Sequence, residues 1–110
     1  MEISRIKRIE VSSDFSIEKS DAGKFIIVNN TTVVNVTIPN DDVEHILTGT
    51  LLRLQQFGNE QLVFVPADGV TLRAVKRRTN GQYAVCSLLK LGYNEWTMFD
   101  DITDIALENS

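Results

Sequence analysis

Histidine and cysteine are almost absent from this chain, and their scarcity limits the chemistry that it can carry. His45 is the single histidine and Cys86 the single cysteine. One cysteine cannot form an internal disulfide, and a metal site needs several donors at fixed spacing. We interpret Cys86 as a small core residue of a strand and His45 as a surface residue, since no motif relates the two as nucleophile and base. We therefore predict no catalytic residue, no metal ligand and no cofactor, and we do not expect an enzyme.

Positive charge and long apolar runs are also scarce. The chain has 11 lysines and arginines against 15 aspartates and glutamates, a net charge of −4, so a general affinity for nucleic acid or an anionic membrane is not expected. No apolar run reaches the length of a membrane span, and none follows the basic start of the chain as a secretory signal requires. The hydrophobic share of 43% over 110 residues predicts one soluble globular domain.

Glycine is infrequent, but its placement is informative. The six glycines stand singly rather than in a phosphate-binding loop. The last five, at positions 49, 58, 69, 81 and 92, are separated by 9, 11, 12 and 11 residues. Glycine adopts positive φ without a steric clash, so it marks places where an extended chain can turn. Short apolar segments between such turns predict an all-β fold, an antiparallel β-sandwich or β-barrel-like domain.

The hydrophobic pattern between these turns gives the expected elements. We predict strands at 15–17, 25–28, 32–38, 50–56, 61–66, 70–76, 82–91 and 95–99, with a meander from residue 50 onward. The run 25–28 is apolar throughout, which indicates burial on both faces or in a sandwich core. One short helical turn is predicted over 40–47, where Asp41 and Glu44 have the spacing of a capping box. Asn80-Gly81 is the strongest hairpin signal, because a type I′ turn needs positive φ at both central residues.

The two ends differ in composition from this body. Residues 1–13 combine isoleucine with basic residues, residues 101–110 are acidic, and 14–100 form the predicted β-domain. The amino-terminal segment fits neither a strand nor a helix period, so we interpret it as an arm that becomes ordered against a partner, with a frayed end as the alternative. We expect deletion of residues 1–11 to leave the β-domain folded and to weaken assembly. The candidate assembly residues in the arm are Ile3, Arg5, Ile6, Lys7, Arg8 and Ile9.

Two further clusters have both a functional and a structural interpretation. Residues 76–78 form a Lys-Arg-Arg run before the predicted hairpin turn; the run could meet an acidic partner, although a solvated turn is favoured. Tyr93 and Trp96 could form a carbohydrate-stacking platform, which requires Trp96 in solvent. Trp96 shares a strand face with Met98, so we predict instead that Trp96 lies in the core.

A set of short motifs in fixed order resembles a β-domain of bacteriophage virions that occurs in tail-fibre, tailspike and head-decoration proteins. The motifs are Asp21-Ala-Gly-Lys24, a strand ending in Thr37-Ile-Pro39, Gly49-Thr50, Gly69-Val-Thr-Leu72 and a closing Trp96. They fall within residues 14–100. The resemblance implies a non-enzymatic virion structural protein, commonly a homotrimer, and it carries over no catalytic residue.

Within the virion, the length of the chain favours a capsid decoration protein of the cement or knob type. A single domain with a short arm leaves no room for the anchor, shaft and tip of a fibre. A tail fibre, tail tip or adaptor component is the alternative within the virion, and a carbohydrate-binding β-sandwich module is the alternative outside it. The expected partners are further copies of the chain and the major capsid protein or another virion protein, with neither nucleic acid nor membrane. The expected location is the virion, assembled in the host cytoplasm.

Overall fold

The structure, a computed structural model, describes residues 6–9 and 13–107. In these ranges it contains one 3-10 turn, Lys19–Asp21, and eleven strands. The strands are β1 Ile6–Ile9, β2 Phe15–Ser16, β3 Phe25–Val28, β4 Val34–Ile38, β5 Leu51–Gln56, β6 Leu62–Pro66, β7 Thr71–Arg73, β8 Arg78–Thr79, β9 Val85–Gly92, β10 Glu95–Asp100 and β11 Ile102–Thr103. The predicted all-β, sandwich-like fold with one short helical turn is confirmed.

The strands form two mixed sheets between which the chain passes back and forth. One sheet has six strands in the order β1-β3-β5-β9-β10-β7, and the other has five in the order β11-β8-β6-β4-β2. From β1 to β9, successive strands alternate between the two sheets. The first six strands therefore wind as a coil, in which β1, β3 and β5 are parallel neighbours and so are β2, β4 and β6.

The antiparallel pairing predicted within the sheets is correct for only part of the fold. β9 runs antiparallel to β5 and β10, and β8 runs antiparallel to β6 and β11. The meander predicted from residue 50 onward is wrong, because β5 and β6 belong to different sheets. Turn residues mark where an extended chain changes direction, but the chain can then cross to the opposite sheet instead of pairing with the strand that it has left.

The prediction of a hairpin at Asn80-Gly81 is also wrong, because the chain crosses to the other sheet at this turn. The strands on either side of it, β8 and β9, lie in different sheets. Positive φ occurs at Gly81 and at Tyr83, not at Asn80, and the Ala84 N–H closes the turn on the Gly81 carbonyl at 3.1 Å. The hairpin of the described chain joins β9 to β10 instead, and its second loop residue, Asn94, has a φ of 51°.

The helical turn predicted over 40–47 is an isolated hydrogen-bonded turn and not a regular helix. Residues 40–47 close a single turn, in which the N–H groups of Val43 and Glu44 both donate to the Asn40 carbonyl at 2.9 Å. The regular 3-10 turn is Lys19–Asp21, where the Asp21 carboxylate accepts the N–H of Glu18 at 2.9 Å.

The core lies between the sheets and consists of the inward side chains of the alternating strands. Trp96 is 1% exposed and lies among them, as predicted. The buried cluster also includes Ile17, Ile26, Val28, Val34, Val36, Ile38, Ile46, Leu52, Leu54, Leu62, Phe64, Leu72, Cys86, Leu88 and Met98. Burial of this apolar surface is the main contribution to the stability of the fold.

Both chain ends contribute strands, which changes how they relate to the domain. Residues 6–9 of the predicted arm form β1 and pair with β3 in parallel. Residues 102–103 of the predicted acidic tail form β11 and pair with β8. The domain proposed at 14–100 therefore continues into both segments in the described part of the chain.

Candidate assembly surface

The outer face of the six-stranded sheet carries more apolar side chains than the outer face of the five-stranded sheet. In β3, β5, β9 and β10 the residues that alternate with the core point away from it, and many of these are also hydrophobic. We call this set the outer patch: Ile6, Phe25, Ile27, Leu51, Val85, Leu89 and Phe99. Ile6 is 65% exposed, Phe99 40% and Leu51 36%, and the other members are half-buried.

The strand register makes these side chains neighbours. Ile6 is paired with Phe25, and Leu51 is paired with Leu89. Ile27 and Val85 both flank Gln55, which lies between them on β5. Because residues paired across strands share a face and approach within side-chain contact, the patch extends from the β1 edge across five strands to β10.

The outer face of the five-stranded sheet has a different composition. Its outward positions are Ser16, Asn35, Thr37, Val63, Val65, Arg78 and Thr103. Two valines stand among five polar residues, and the Asp14 carboxylate covers Asn35 by accepting its N–H at 2.8 Å. This face shows the usual pattern of one buried and one solvated side of a sheet.

Two charged residues that lie among the members of the outer patch, Arg53 and Asp100, are connected through Ser87 by hydrogen bonds. Arg53 Nε donates to Ser87 Oγ at 3.2 Å, and Ser87 Oγ donates to the Asp100 carboxylate at 2.6 Å. Ser87 is fully buried although it lies on the outer side of β9. The central charges of the patch thus compensate one another.

One corner of this face carries an aromatic pair in a strained setting. Tyr83 has a φ of 72°, a conformation that costs a bulky residue about 1–3 kcal/mol. Tyr83 is 56% exposed, and its ring packs edge-on against Phe57 at 5.3 Å between centroids. On β1, the Arg8 guanidinium lies 5.9 Å from the centroid of the same Phe57 ring.

A buried ion pair lies beneath the opposite end of the sheet. Lys90 Nζ donates to Asp41 Oδ1 at 2.6 Å and to the Ile46 carbonyl at 2.5 Å, and it sits 5.6 Å from the centroid of the Trp96 ring. The second Asp41 oxygen accepts the Asn94 N–H at 2.7 Å. Burial by itself would raise the pKa of Asp41, but the hydrogen bonds from Lys90 and Asn94 and the Lys90 charge together hold it below its ordinary value of 3.8.

Cys86 and His45, the single cysteine and histidine of the chain, lie in different environments. Cys86 is fully buried, and burial followed by the nearby charge of Asp100 raises the pKa of its thiol to about 12, so the thiolate is strongly disfavoured. His45 is a surface residue as predicted, with Nδ1 3.6 Å from Asp41 Oδ1. Among residues 6–9 and 13–107, no group of three or more His, Cys, Asp or Glu side chains is arranged to hold a metal ion.

The other sequence candidates are found in different surroundings. Trp96 in the core leaves Tyr93, which is 64% exposed, without the second ring that the alternative of a carbohydrate platform requires. The basic run 76–78 is not a freely solvated loop tip, because Arg77 donates to the backbone carbonyls of Leu72 and Ala74. In the described part of the chain no helix is long and apolar enough to span a membrane.

The candidate residues of the arm are only partly brought together. Ile3 and Arg5 lie outside the described residues, and Ile9 forms the end of β1. Ile6 belongs to the outer patch, whereas Lys7 points inward and its Nζ contacts Asp21 Oδ1 at 2.8 Å. Sequence reasoning did not find the remaining members of the patch, although the unbroken apolar run 25–28 was a signal for it.

Comparison with known proteins adds no relative. No protein-family model, no curated protein and no solved structure matches the chain.

Proposed function

We propose that this protein is a non-enzymatic structural subunit that associates with further copies of itself through the outer patch, as a capsid decoration protein of a bacteriophage virion. The observation that carries self-association is the apolar character of both sides of the six-stranded sheet. Strands that are apolar on both faces are characteristic of sheets covered on both sides. Within the described chain, the core covers one side and the outer patch is left as the other.

A second copy of the chain is the occupant that suits this surface. The chain carries a net charge of −4, so two copies repel one another unless they meet at a neutral region. At the centre of the outer patch, Arg53 and Asp100 compensate each other through Ser87, so two copies can meet there without an unbalanced charge. Closed symmetric assemblies are the usual way to bury such a patch on identical subunits, and the resemblance to virion β-domains favours a trimer.

The virion assignment rests on the ordered motifs from Asp21-Ala-Gly-Lys24 to Trp96. A tail fibre, tail tip or adaptor role is the other position within a virion that the same motifs support. Both roles need a rigid module that presents an assembly surface, and neither needs a catalytic centre.

Light scattering of matched variants tests self-association. The wild-type chain should have a mass of about three times the 12.4 kDa monomer. Leu51→Asp places a charge in the patch and should give monomers, whereas Val65→Asp should leave the mass unchanged. The two positions are 36% and 41% exposed, on the outer faces of opposite sheets. A monomeric wild-type protein, or equal effects of both substitutions, would contradict the proposal.

Purified particles test the virion assignment separately. Mass spectrometry of virions from the phage that encodes the chain should detect the protein, and antibody labelling in electron micrographs should decorate the head. Labelling confined to the tail would replace the decoration role with a tail role. Absence of the protein from purified particles would contradict a virion role, whatever the mass of the free protein.

A further inference from the structure

Asn80-Gly81 is the single Asn-Gly pair of the chain, and the turn that contains it is open to solvent. Asn80 is exposed. Gly81 has a φ of 132°, which residues other than glycine rarely adopt. A Cβ added at Gly81 would meet no heavy atom within 4 Å. The backbone that follows Asn80 is therefore unhindered on this side, and water reaches it.

The backbone amide of Gly81 has no competing hydrogen bond. Among residues 6–9 and 13–107, no acceptor is paired with the Gly81 N–H, whereas the Ala84 N–H of the same turn donates to the Gly81 carbonyl. A hydrogen bond would restrain an amide and keep its proton in place. The Gly81 amide is thus exposed to deprotonation by hydroxide, and glycine leaves its backbone free to rotate toward the Asn80 side chain.

We propose that Asn80 is a site of spontaneous deamidation. The Gly81 nitrogen gives its proton to hydroxide and forms a bond to Asn80 Cγ, while the bond between Cγ and Nδ2 breaks and the side-chain nitrogen takes a proton from water and leaves as ammonia. Water then opens the cyclic imide at either carbonyl, which gives aspartate or isoaspartate at position 80. The net reaction consumes water and releases ammonia, and it needs no oxidant or enzyme.

The new carboxylate would disturb a contact between this turn and the end of the domain. Asn80 Nδ2 donates to Asp101 Oδ1 at 3.0 Å, and the Asn80 N–H donates to the Asp101 carbonyl at 3.2 Å. A carboxylate at position 80 is an acceptor only, so it offers no donor to Asp101 and places a like charge beside it. Deamidation therefore replaces an attraction by a repulsion.

Asp101 lies directly before β11, a segment that is held by few bonds. β11 pairs with β8 over two residues. Beyond it, Gln61 hydrogen-bonds to the Ile105 carbonyl and to the Leu107 N–H, both at 2.9 Å. Loss of the Asn80 contact should loosen this segment while the two sheets stay intact. The segment lies outside the outer patch, so the inference does not rest on the proposed function.

Peptide mass spectrometry of the full chain, aged at mildly alkaline pH, tests the modification. The peptide that contains Asn80 should gain about 1 Da, because oxygen replaces the amide nitrogen, and the rate should rise with pH. Asn59 is the internal control, since it is also exposed but is followed by Glu60. It should react roughly ten times more slowly, because a residue with a Cβ has less backbone freedom than glycine. Asn80→Gln should abolish the mass gain at this position.

Amide exchange measured by NMR tests the consequence. Asn80→Asp should accelerate exchange of the hydrogen-bonded N–H groups of Ile105 and Leu107 about tenfold, without a change in β5 or β9. Asn59→Asp, the same charge change at another exposed position, should leave this exchange unchanged. Asn80→Asp combined with Asp101→Asn should restore slow exchange, because donor and acceptor are then interchanged.

The aged wild-type protein, separated by its additional negative charge, gives the same exchange measurement without a substitution. Either of two results would overturn the proposal. One is a mass gain at Asn80 no faster than at Asn59. The other is exchange at Ile105 and Leu107 that is equal in the wild type, in Asn80→Asp and in the aged protein.

Discussion

Two buried carboxylates in this fold are each matched by one lysine, but the lysines come from different kinds of strand. Lys7 of the edge strand β1 holds Asp21 at 2.8 Å, and Lys90 of the interior strand β9 holds Asp41 at 2.6 Å. The side chain of Lys7 is 29% exposed and that of Lys90 only 2%. The same chemical pair can therefore fasten an edge strand at the rim of the sheet or join distant segments in the interior.

The interior pair joins more of the chain than the rim pair. Lys90 and Asp41 are 49 residues apart, and the Asp41 carboxylate also accepts the Asn94 N–H of the β9–β10 hairpin. Asp21 has the Glu18 N–H as its second partner, which is local. We expect the interior pair to govern global unfolding and the rim pair to govern the opening of β1.

The largest effect is expected from Lys90→Met, which leaves the Asp41 charge buried without its cation. Breaking one side of a buried ion pair costs about 3–5 kcal/mol, measurable by urea unfolding. The double variant Asp41→Asn with Lys90→Met should recover part of this loss, because no charge is then left buried. A loss below about 1 kcal/mol for Lys90→Met would remove the distinction between the two pairs.

A smaller effect is expected from Lys7→Met. The loss should be about 1–3 kcal/mol, because Asp21 keeps the Glu18 N–H and water can reach the partly exposed rim. Amide exchange should accelerate in β1 and β3 before it does in β9. Lys76→Met, at an exposed lysine, controls for the loss of one positive charge.

Deletion of residues 1–11 removes β1 and Lys7 together, so it should destabilise the domain at least as much as Lys7→Met does. This result would differ from the expectation from the sequence, which is that the β-domain stays folded.

Acid should act on the interior pair over a defined range. Because the pKa of Asp41 is lowered in the folded protein, its ionised form adds stability above the ordinary value of 3.8, and this stability is lost as the pH falls below that value. Urea unfolding between pH 7 and pH 2 should show a steeper loss below pH 3.8 for the wild type than for Asp41→Asn. Equal slopes for the two proteins would show that Asp41 does not carry the acid response.

The smallest effect is expected from His45→Ala. His45 Nδ1 is 3.6 Å from Asp41 Oδ1, but its side chain is 66% exposed, and such surface pairs contribute about 0.5 kcal/mol or less. Thermal unfolding at pH 7 should be nearly unchanged. A loss comparable to that of Lys90→Met would mean that His45, and not Lys90 alone, compensates the Asp41 charge.

The positions of most strands were predictable, whereas their partners were not. Alternation in segments such as Val34–Ile38 and Leu51–Gln56 shows which side chains point inward, and the structure buries them. The glycine spacing predicts chain reversals, but most of these turns carry the chain across to the other sheet. β1, β8 and β11 escape prediction because they lack the apolar run or the run of alternating residues that marks the other strands, including the equally short β3.

The residues of the candidate surface were also predictable only in part from local patterns in the sequence. The run Phe25–Val28 already indicated burial on both faces, and its outward residues belong to the outer patch. The other members of the patch come from segments up to 93 residues apart, Ile6 and Phe99, which only the strand order brings to one face. The composition of the arm marks Ile6 and Arg8 as candidates, while the structure places them on the outward side of the edge strand β1.

The amino-acid sequence by itself determined that this protein is an all-β domain, where its principal strands lie and that Trp96 belongs to the core. These properties follow from local periodicity, which is set by the geometry of the extended chain. The tertiary structure alone decided the coiled passage between sheets, the pairing of Lys90 with Asp41 and the exposure of the outer patch. These depend on contacts between residues far apart in sequence, and no local pattern specifies which distant segment a strand will meet.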